Sequence, residues 1–240
     1  MHRYILPDAP VSPTGYCRPV DRPFTIDVWS DVVCPFCYIG ERQLERALEE
    51  FPHRDQVLVR FHAFELNPQA TTTELPLDEL LAEKYGMPLE HARATHARLG
   101  AQAATYGLPW DIERARSTNT FDAHRVIALA QRQGRDVAMA ERLHEAYFAE
   151  GRLVSDHDTL VALADEVGVE GVAEALAGDH YADQVREDEA MAQELGLSGV
   201  PSVVVDGAYL VVGAQGEAHF ANVLERAWTR RTEGTSPTPP

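Results

Sequence analysis

Phe24-Thr25-Ile26-Asp27-Val28-Trp29-Ser30-Asp31-Val32-Val33-Cys34-Pro35-Phe36-Cys37-Tyr38-Ile39-Gly40 is the stretch whose reading decides the fold. Its first six residues alternate and are rich in β-branched and aromatic side chains, which predicts a strand over Phe24–Trp29. Ser30-Asp31-Val32-Val33 turns out of that strand. Pro35 opens a helix expected to run to about Phe51, with Pro52 closing it. Proline is free of cost at a first helical position, because that N–H has no intrahelical partner. Two cysteines one turn apart thus stand where a strand hands over to a helix. Unpaired N–H groups and the helix dipole favour an anion at that point, so Cys34 is expected to have a stabilised thiolate. Cys37 falls one turn later on the same face. The expected roles are nucleophile for Cys34 and resolving thiol for Cys37.

Working outward, Val57–His62 reads as a second strand, and the spacing suits a right-handed strand–helix–strand unit. From about Pro76 to Leu195 the pattern is helical almost throughout. Leu77, Leu80, Leu81 and Tyr85 recur at helical spacing, as do Phe121, His124, Ile127 and Ala128. Ser155-Asp156-His157-Asp158 predicts a helix start with Ser155 as N-cap, and Gly168 ends that helix. A further helix is expected over Asp179–Leu195, with Gly196 stopping it. Ser202–Val205 and Tyr209–Val212 are strands joined by Asp206-Gly207, a strong hairpin signal. A last helix is expected from Gly216 to Arg230. The expected division is an irregular arm over 1–22, the first part of a domain over 23–70, an inserted helical domain over 71–195, the second part of the first domain over 196–230, and a disordered tail over 231–240.

The chain has 240 residues, with 38 acidic against 21 basic side chains and a formal charge of −17. Such a surface repels phosphate backbones and anionic bilayers, so neither nucleic acid nor membrane is an expected partner. No stretch approaches the roughly 18 apolar residues of a membrane span. Residues 1–10 hold no apolar run fit for a signal-peptide core, so a cytoplasmic location is expected. The sequence carries no signal of oligomeric state. The three cysteines are Cys17, Cys34 and Cys37, too few for a secreted disulfide framework. A structural zinc site needs four ligands, and no second pair has ligand spacing, so no metal is expected.

Ser198-Gly199-Val200-Pro201-Ser202 is the second chemical element. Proline directly before a central strand withholds a ladder donor, which suits a turn. A strand ending in Cys-x-x-Cys, a helical insertion, then Gly-Val-Pro, hairpin and helix resembles the thioredoxin superfamily. More closely it resembles the DsbA-like branch, and within it the FrnE-type oxidoreductases. The runs carrying this are Asp27–Gly40, Asn119-Thr120-Phe121-Asp122-Ala123-His124-Arg125, Gly199–Ser202 and Gly213-Ala214-Gln215, across about residues 24–228. The resemblance implies an α/β protein: a thioredoxin fold with a large inserted α-helical domain. It implies a cis Pro201 facing Cys34, where a substrate chain pairs with the Val200 backbone. It implies exchange with protein or small-molecule disulfides and thiols, with no bound cofactor. Many FrnE-type sequences carry Trp where Phe36 stands. Cys-Pro-Phe-Cys also resembles glutaredoxin pairs, which admits glutathione or another low-molecular-weight thiol as co-substrate. The alternative is a glutathione-dependent isomerase or transferase of small aromatic molecules. Kappa-class transferases and hydroxychromene-carboxylate isomerases share the fold, but typically place serine at the nucleophile position.

Other residues have two readings each. The resemblance implies a buried acid near the resolving cysteine, and Asp27 is the loose match. Asp31 is the other proton-transfer candidate, or only a helix-start charge. Asn119 is a ligand contact or a helix cap, and His124 lines the cleft or is satisfied in the core. Pro35, Phe36 and Val200 are expected beside the substrate. Trp110, Phe36 and Tyr38 form an apolar rim or simply pack. Cys17 reads as a free thiol in the arm, or as a third redox cysteine.

Overall fold

A computed structural model describes residues 22–233. Cys17 and the expected N-terminal arm up to 21 lie outside the described residues. Four strands form one sheet in the order β2-β1-β3-β4, with β1 at Phe24–Ser30, β2 at Val57–Ala63, β3 at Ser202–Val205 and β4 at Tyr209–Val212. β1 and β2 are parallel, with Val28 opposite Phe61, and α1 (Pro35–Glu49) makes the crossover. β3 runs antiparallel to both β1 and β4. Asp206 and Gly207 both take positive φ, and the Ala208 N–H closes the turn on the Val205 carbonyl. Gly tolerates that backbone without penalty and Asp better than most, which is why this dipeptide marks the hairpin.

The two faces of β1 have different jobs. Phe24, Ile26 and Val28 enter the main core with Tyr38, Ile39 and Leu44 of α1 and with Phe220 and Leu224 of α9 (Glu217–Glu233). Trp29 points the other way and packs with Ala192 and Leu197. Between β2 and β3 lie α2 (Leu77–Tyr85), α3 (Leu89–Thr105), α4 (Phe121–Arg132), α5 (Asp136–Glu145), α6 (His157–Val167), α7 (Val172–Ala177) and α8 (Ala182–Glu194). Leu143, Phe148, Leu160 and Leu163 from these helices belong to the same continuous cluster as the strand residues. Five residues after α5, Ala146–Glu150, form a π-helical turn. A π-turn is rare and shifts the side-chain register locally.

Some boundaries differ from expectation. The cap of α6 is Asp156, whose carboxylate accepts the Thr159 N–H at 2.8 Å, while Ser155 Oγ accepts from Thr118 at 2.7 Å. Both residues are good caps in isolation, and a tertiary contact decides between them. Gly168 ends α6 with φ 71°, as expected. α8 begins three residues later than expected, after Tyr181 at φ 66°. The C-terminal helix continues through 231–233, which the sequence assigns to a tail. The reason is Arg231: buried, it reaches the Asp206 carboxylate at 2.9 Å and the Pro23 carbonyl at 3.2 Å.

Candidate active site

Cys34 is the N-cap of α1, and Pro35 is its first helical residue. Cys34 is 3% exposed and Cys37 is fully buried; both are free thiols. Hydrogen bonding from the Cys37 thiol, with help from the Cys37 and Phe36 N–H groups, holds Cys34 below the ordinary thiol range. That overcomes burial and the nearby Asp31 charge, which both push it up. Burial pushes Cys37 well above the ordinary range, and the Cys34 sulfur and the Glu41 charge push the same way. The two thiols are thus split: the outer one is easily ionised and the inner one is hard to ionise.

Pro201 completes the front of the site. The Val200–Pro201 peptide is cis, and the Cys34 Sγ lies 3.7 Å from the Val200 carbonyl oxygen. Pro201 ends just before β3, so no ladder donor is lost, and its carbonyl accepts the Gly213 N–H at 2.7 Å. Gly40 explains another part of the motif. A Cβ there would stand 2.9 Å from Pro201 Cγ, with Ala214 behind it at 3.5 Å. Only glycine lets α1 approach the Pro201 turn so closely. Gln43 ties α1 to the same region through its Oε1, which accepts the Gly216 N–H at 2.8 Å. The runs around Cys34, Pro201 and Gly213 therefore meet at one place.

Around the pair, Phe36 is 48% exposed, and Pro35 and Val200 are half-buried. Tyr38 and Trp110 are not rim residues. Both stack on Phe148, at ring-centroid distances of 5.5 and 5.1 Å, so their area goes to packing. Asn119 spends its amide within the protein: its Oδ1 accepts the Phe121 N–H at 2.9 Å and its Nδ2 donates to the Pro68 carbonyl at 3.1 Å. The N-cap of α4 is Thr120, so Asn119 stands one residue ahead of the cap and ties the approach to the helix to the loop after β2. His124 is buried and borders a small internal cavity shared with Ser30 and His144, with its Nε2 3.6 Å from Asp31 Oδ1.

Neither expected acid stands over Cys37. Asp27 shows its side chain to the opposite face of the sheet, where its carboxylate meets Arg60 at 2.6 Å and His62 at 3.0 Å. The alternation of β1 dictates this, since Ile26 and Val28 take the α1 face. Asp31 is buried and accepts the Leu66 N–H at 2.7 Å, so it pins the loop after β2 beside the site. The acid on the Cys37 side is Glu41, one turn further along α1. Its Oε1 accepts the Ser30 hydroxyl at 2.5 Å, and its Oε2 lies 3.3 Å from His144 Nδ1. Ser30 acts on Cys37 in the opposite sense to burial, pulling its thiol down. His144 is fully buried and lies 3.3 Å from the Asp31 carbonyl through Nε2. Burial alone would lower the His144 imidazole, but the Glu41 carboxylate beside it raises it. Helical spacing from Cys37 could have found Glu41. Nothing local points to His144, which comes from a helix 100 residues away in sequence.

Among the described residues no group of three or more His, Cys, Asp or Glu side chains is arranged to hold a metal ion, and no helix is long and apolar enough to cross a membrane. A structure described as a "probable DsbA oxidoreductase" from Streptomyces coelicolor is 40% identical, with a TM-score of 0.82 over 90% of this chain and 93% of that one. The uncharacterised protein YwbO of Bacillus subtilis is 26% identical over 83% of this chain and 94% of its own length. The cytosolic disulfide reductase DsbM of Pseudomonas aeruginosa, also solved with GSH, shares the fold at 22% identity and a TM-score of 0.59, over 85% of this chain and 98% of that one. The DSBA-like thioredoxin domain matches residues 25–225, across the strand, the cysteine pair, the helices and the cis-proline turn, and the chain belongs to that family.

Proposed function

We propose that this chain is a thiol–disulfide oxidoreductase that exchanges disulfides with protein or small-thiol substrates through Cys34 and Cys37. One observation carries the reading: two free thiols stand at the start of α1, Cys34 at its N-cap with Sγ 3.7 Å from the Val200 carbonyl oxygen and Cys37 one turn behind it. A helix start favours the thiolate that exchange needs. In the reducing direction the Cys34 thiolate attacks a substrate disulfide. One substrate sulfur leaves as a thiolate and takes up a proton, and the other stays bonded to Cys34. Cys37 then loses its proton and attacks Cys34 Sγ. The second substrate thiol leaves, and the protein keeps a Cys34–Cys37 disulfide. Two electrons pass from the dithiol to the substrate. The oxidising direction is the reverse.

Val200 and Phe36 are the proposed substrate contacts, with an extended chain pairing along the Val200 backbone. Glutathione or another low-molecular-weight thiol is the proposed partner in resetting the pair, and the cytoplasm the proposed location. Within the family, the proposed branch is the FrnE type. Two thiols in contact favour exchange over the isomerase reading, which needs no second thiol. Cys34→Ser is expected to abolish reduction of a protein disulfide such as that of insulin, and Cys37→Ser to accumulate a mixed disulfide on Cys34 visible by mass spectrometry. Activity that survives Cys34→Ser overturns the proposal.

A further inference from the structure

Three residues of α1, spaced three apart and so on one face, meet the chain around the Pro201 turn in order. Gly40 lets that turn approach, since a Cβ there would stand 2.9 Å from Pro201 Cγ and 3.5 Å from Ala214. Gln43 Oε1 accepts the Gly216 N–H at 2.8 Å. Arg46 lies 3.8 Å from the carboxylate of Glu217, the first residue of α9. Tyr106, the half-buried C-cap of α3, touches the last two of these. Its hydroxyl oxygen accepts from Gln43 Nε2 at 3.2 Å, and the Arg46 guanidinium lies over its ring, 5.0 Å from the centroid. Resting on the exchange reading, we propose that Gln43 and Tyr106 are positioning residues: together they hold the turn at 213–216, and through it Pro201 and the Val200 backbone, where a protein substrate can pair beside Cys34.

Gln43 is buried, and a buried amide is tolerated where its polar atoms are bonded. The Gly216 N–H can only donate, so the Gln43 oxygen must face it and the amide nitrogen must face Tyr106. From Gly216 the link runs back along the chain. The Gln215 N–H donates to the Gly213 carbonyl at 3.0 Å, and the Gly213 N–H donates to the Pro201 carbonyl at 2.7 Å. The Gln215 side chain closes the same turn on the Val212 carbonyl at 2.6 Å. Val200, one residue before Pro201, carries the carbonyl that stands 3.7 Å from Cys34 Sγ. A hydroxyl on α3 is thereby joined to the front of the site through one side chain and three backbone contacts.

The Cys34 thiolate itself is set elsewhere. It answers to the Cys37 thiol, to burial, to the Asp31 charge and to the Phe36 N–H, none of which belongs to the turn. Without the Gln43 bonds the Gly216 N–H loses its acceptor, and the turn is free to move off α1. A displacement of about 1 Å far from the chemistry costs up to about 100-fold where geometry must be held. That loss falls on a substrate that has to pair along Val200. A small disulfide needs only the thiolate and is spared. Gln43 and Tyr106 therefore act on which disulfides are reached, and leave the intrinsic reactivity of Cys34 alone.

The test compares two disulfides on the full chain: insulin, reduced in steady state with dithiothreitol as the electron source, and dithiobis(nitrobenzoate), followed by stopped flow on the reduced protein. Gln43→Leu is expected to lower kcat/KM for insulin about tenfold, chiefly through KM, while the dithiobis(nitrobenzoate) rate stays within about twofold. The pH midpoint of Cys34 thiolate absorbance should not move. Gln43→Glu keeps an acceptor for the Gly216 N–H and offers another to the Tyr106 hydroxyl, so it is expected to recover most of the insulin rate. Tyr106→Phe removes one hydroxyl and keeps the ring under Arg46. It should show the same split at about threefold, and it carries the test if Gln43→Leu does not fold. Parent-like insulin kinetics in both Gln43→Leu and Tyr106→Phe overturn the proposal. So do equal losses on the two disulfides, and a Gln43→Glu chain no better than Gln43→Leu. A parent chain that reduces neither disulfide fails at an earlier point and overturns the exchange reading itself.

Discussion

Asp31 has a measurable effect on Cys34 that follows from charge alone. Its carboxylate sits three residues before the thiol and raises the Cys34 pKa against the hydrogen bonds that lower it. Asp31→Asn removes that charge, so the Cys34 thiolate should become still easier to form. Thiolate absorbance against pH is the readout, and an upward move would contradict the assignment. On the far face of the sheet, His62 lies between Asp188 at 2.7 Å and Asp27 at 3.0 Å. Burial would lower the imidazole, but these two carboxylates overcome it and raise it to about 9. The folded value lies above the unfolded one, so the stabilisation is complete below about pH 6.5 and is lost as pH rises towards 9. Urea midpoints should therefore fall between those two pH values, and His62→Gln should flatten the fall. Asp188→Asn leaves the buried imidazolium short of a partner, at an expected cost of about 3 kcal/mol in the same assay.

At the scale of elements, the contact of α1 with the Pro201 turn is set by one missing methyl group. Gly40→Ala puts a Cβ 2.9 Å from Pro201 Cγ. Neither the helix backbone nor the proline ring yields readily, so the overpacking should cost about 1–3 kcal/mol. The same displacement moves Pro201 away from Cys34, and the rate of Cys34 attack on a protein disulfide should drop with the stability. An alanine variant with the parent's melting temperature and rate would show that the turn has slack. The end of α9 behaves differently. Arg231→Ala leaves Asp206 buried beside only the half-exposed Arg22. The expected loss is about 3 kcal/mol in urea unfolding, since removing one partner strands the other charge.

Across the whole molecule, sheet and helices share one apolar cluster, so Leu143 on α5 and Ile26 on β1 belong to the same core. Leu143→Ala should cost about 2–5 kcal/mol. It should lower the midpoint of a single transition, with Trp fluorescence and helical circular dichroism changing together. Two separated transitions would divide the helical segment from the sheet. The sequence by itself determined what is periodic or local. The alternation of Phe24–Trp29, proline after Cys34, and the Asp206-Gly207 turn each act within a few residues, and all formed as expected. The cysteine pair was legible for the same reason: strand end, thiol and helix start are neighbours in the chain. Tertiary structure alone decided which acid attends Cys37. Asp27 and Asp31 were the two candidates, but strand parity turned Asp27 to Arg60 and His62 and Asp31 accepts the Leu66 N–H, while α1 carried Glu41 round to Ser30. His144, the Arg231 anchor and the packing of Trp110 under Phe148 were settled the same way. Each joins residues far apart in sequence, and burial of a charge or ring is decided by what the fold brings against it.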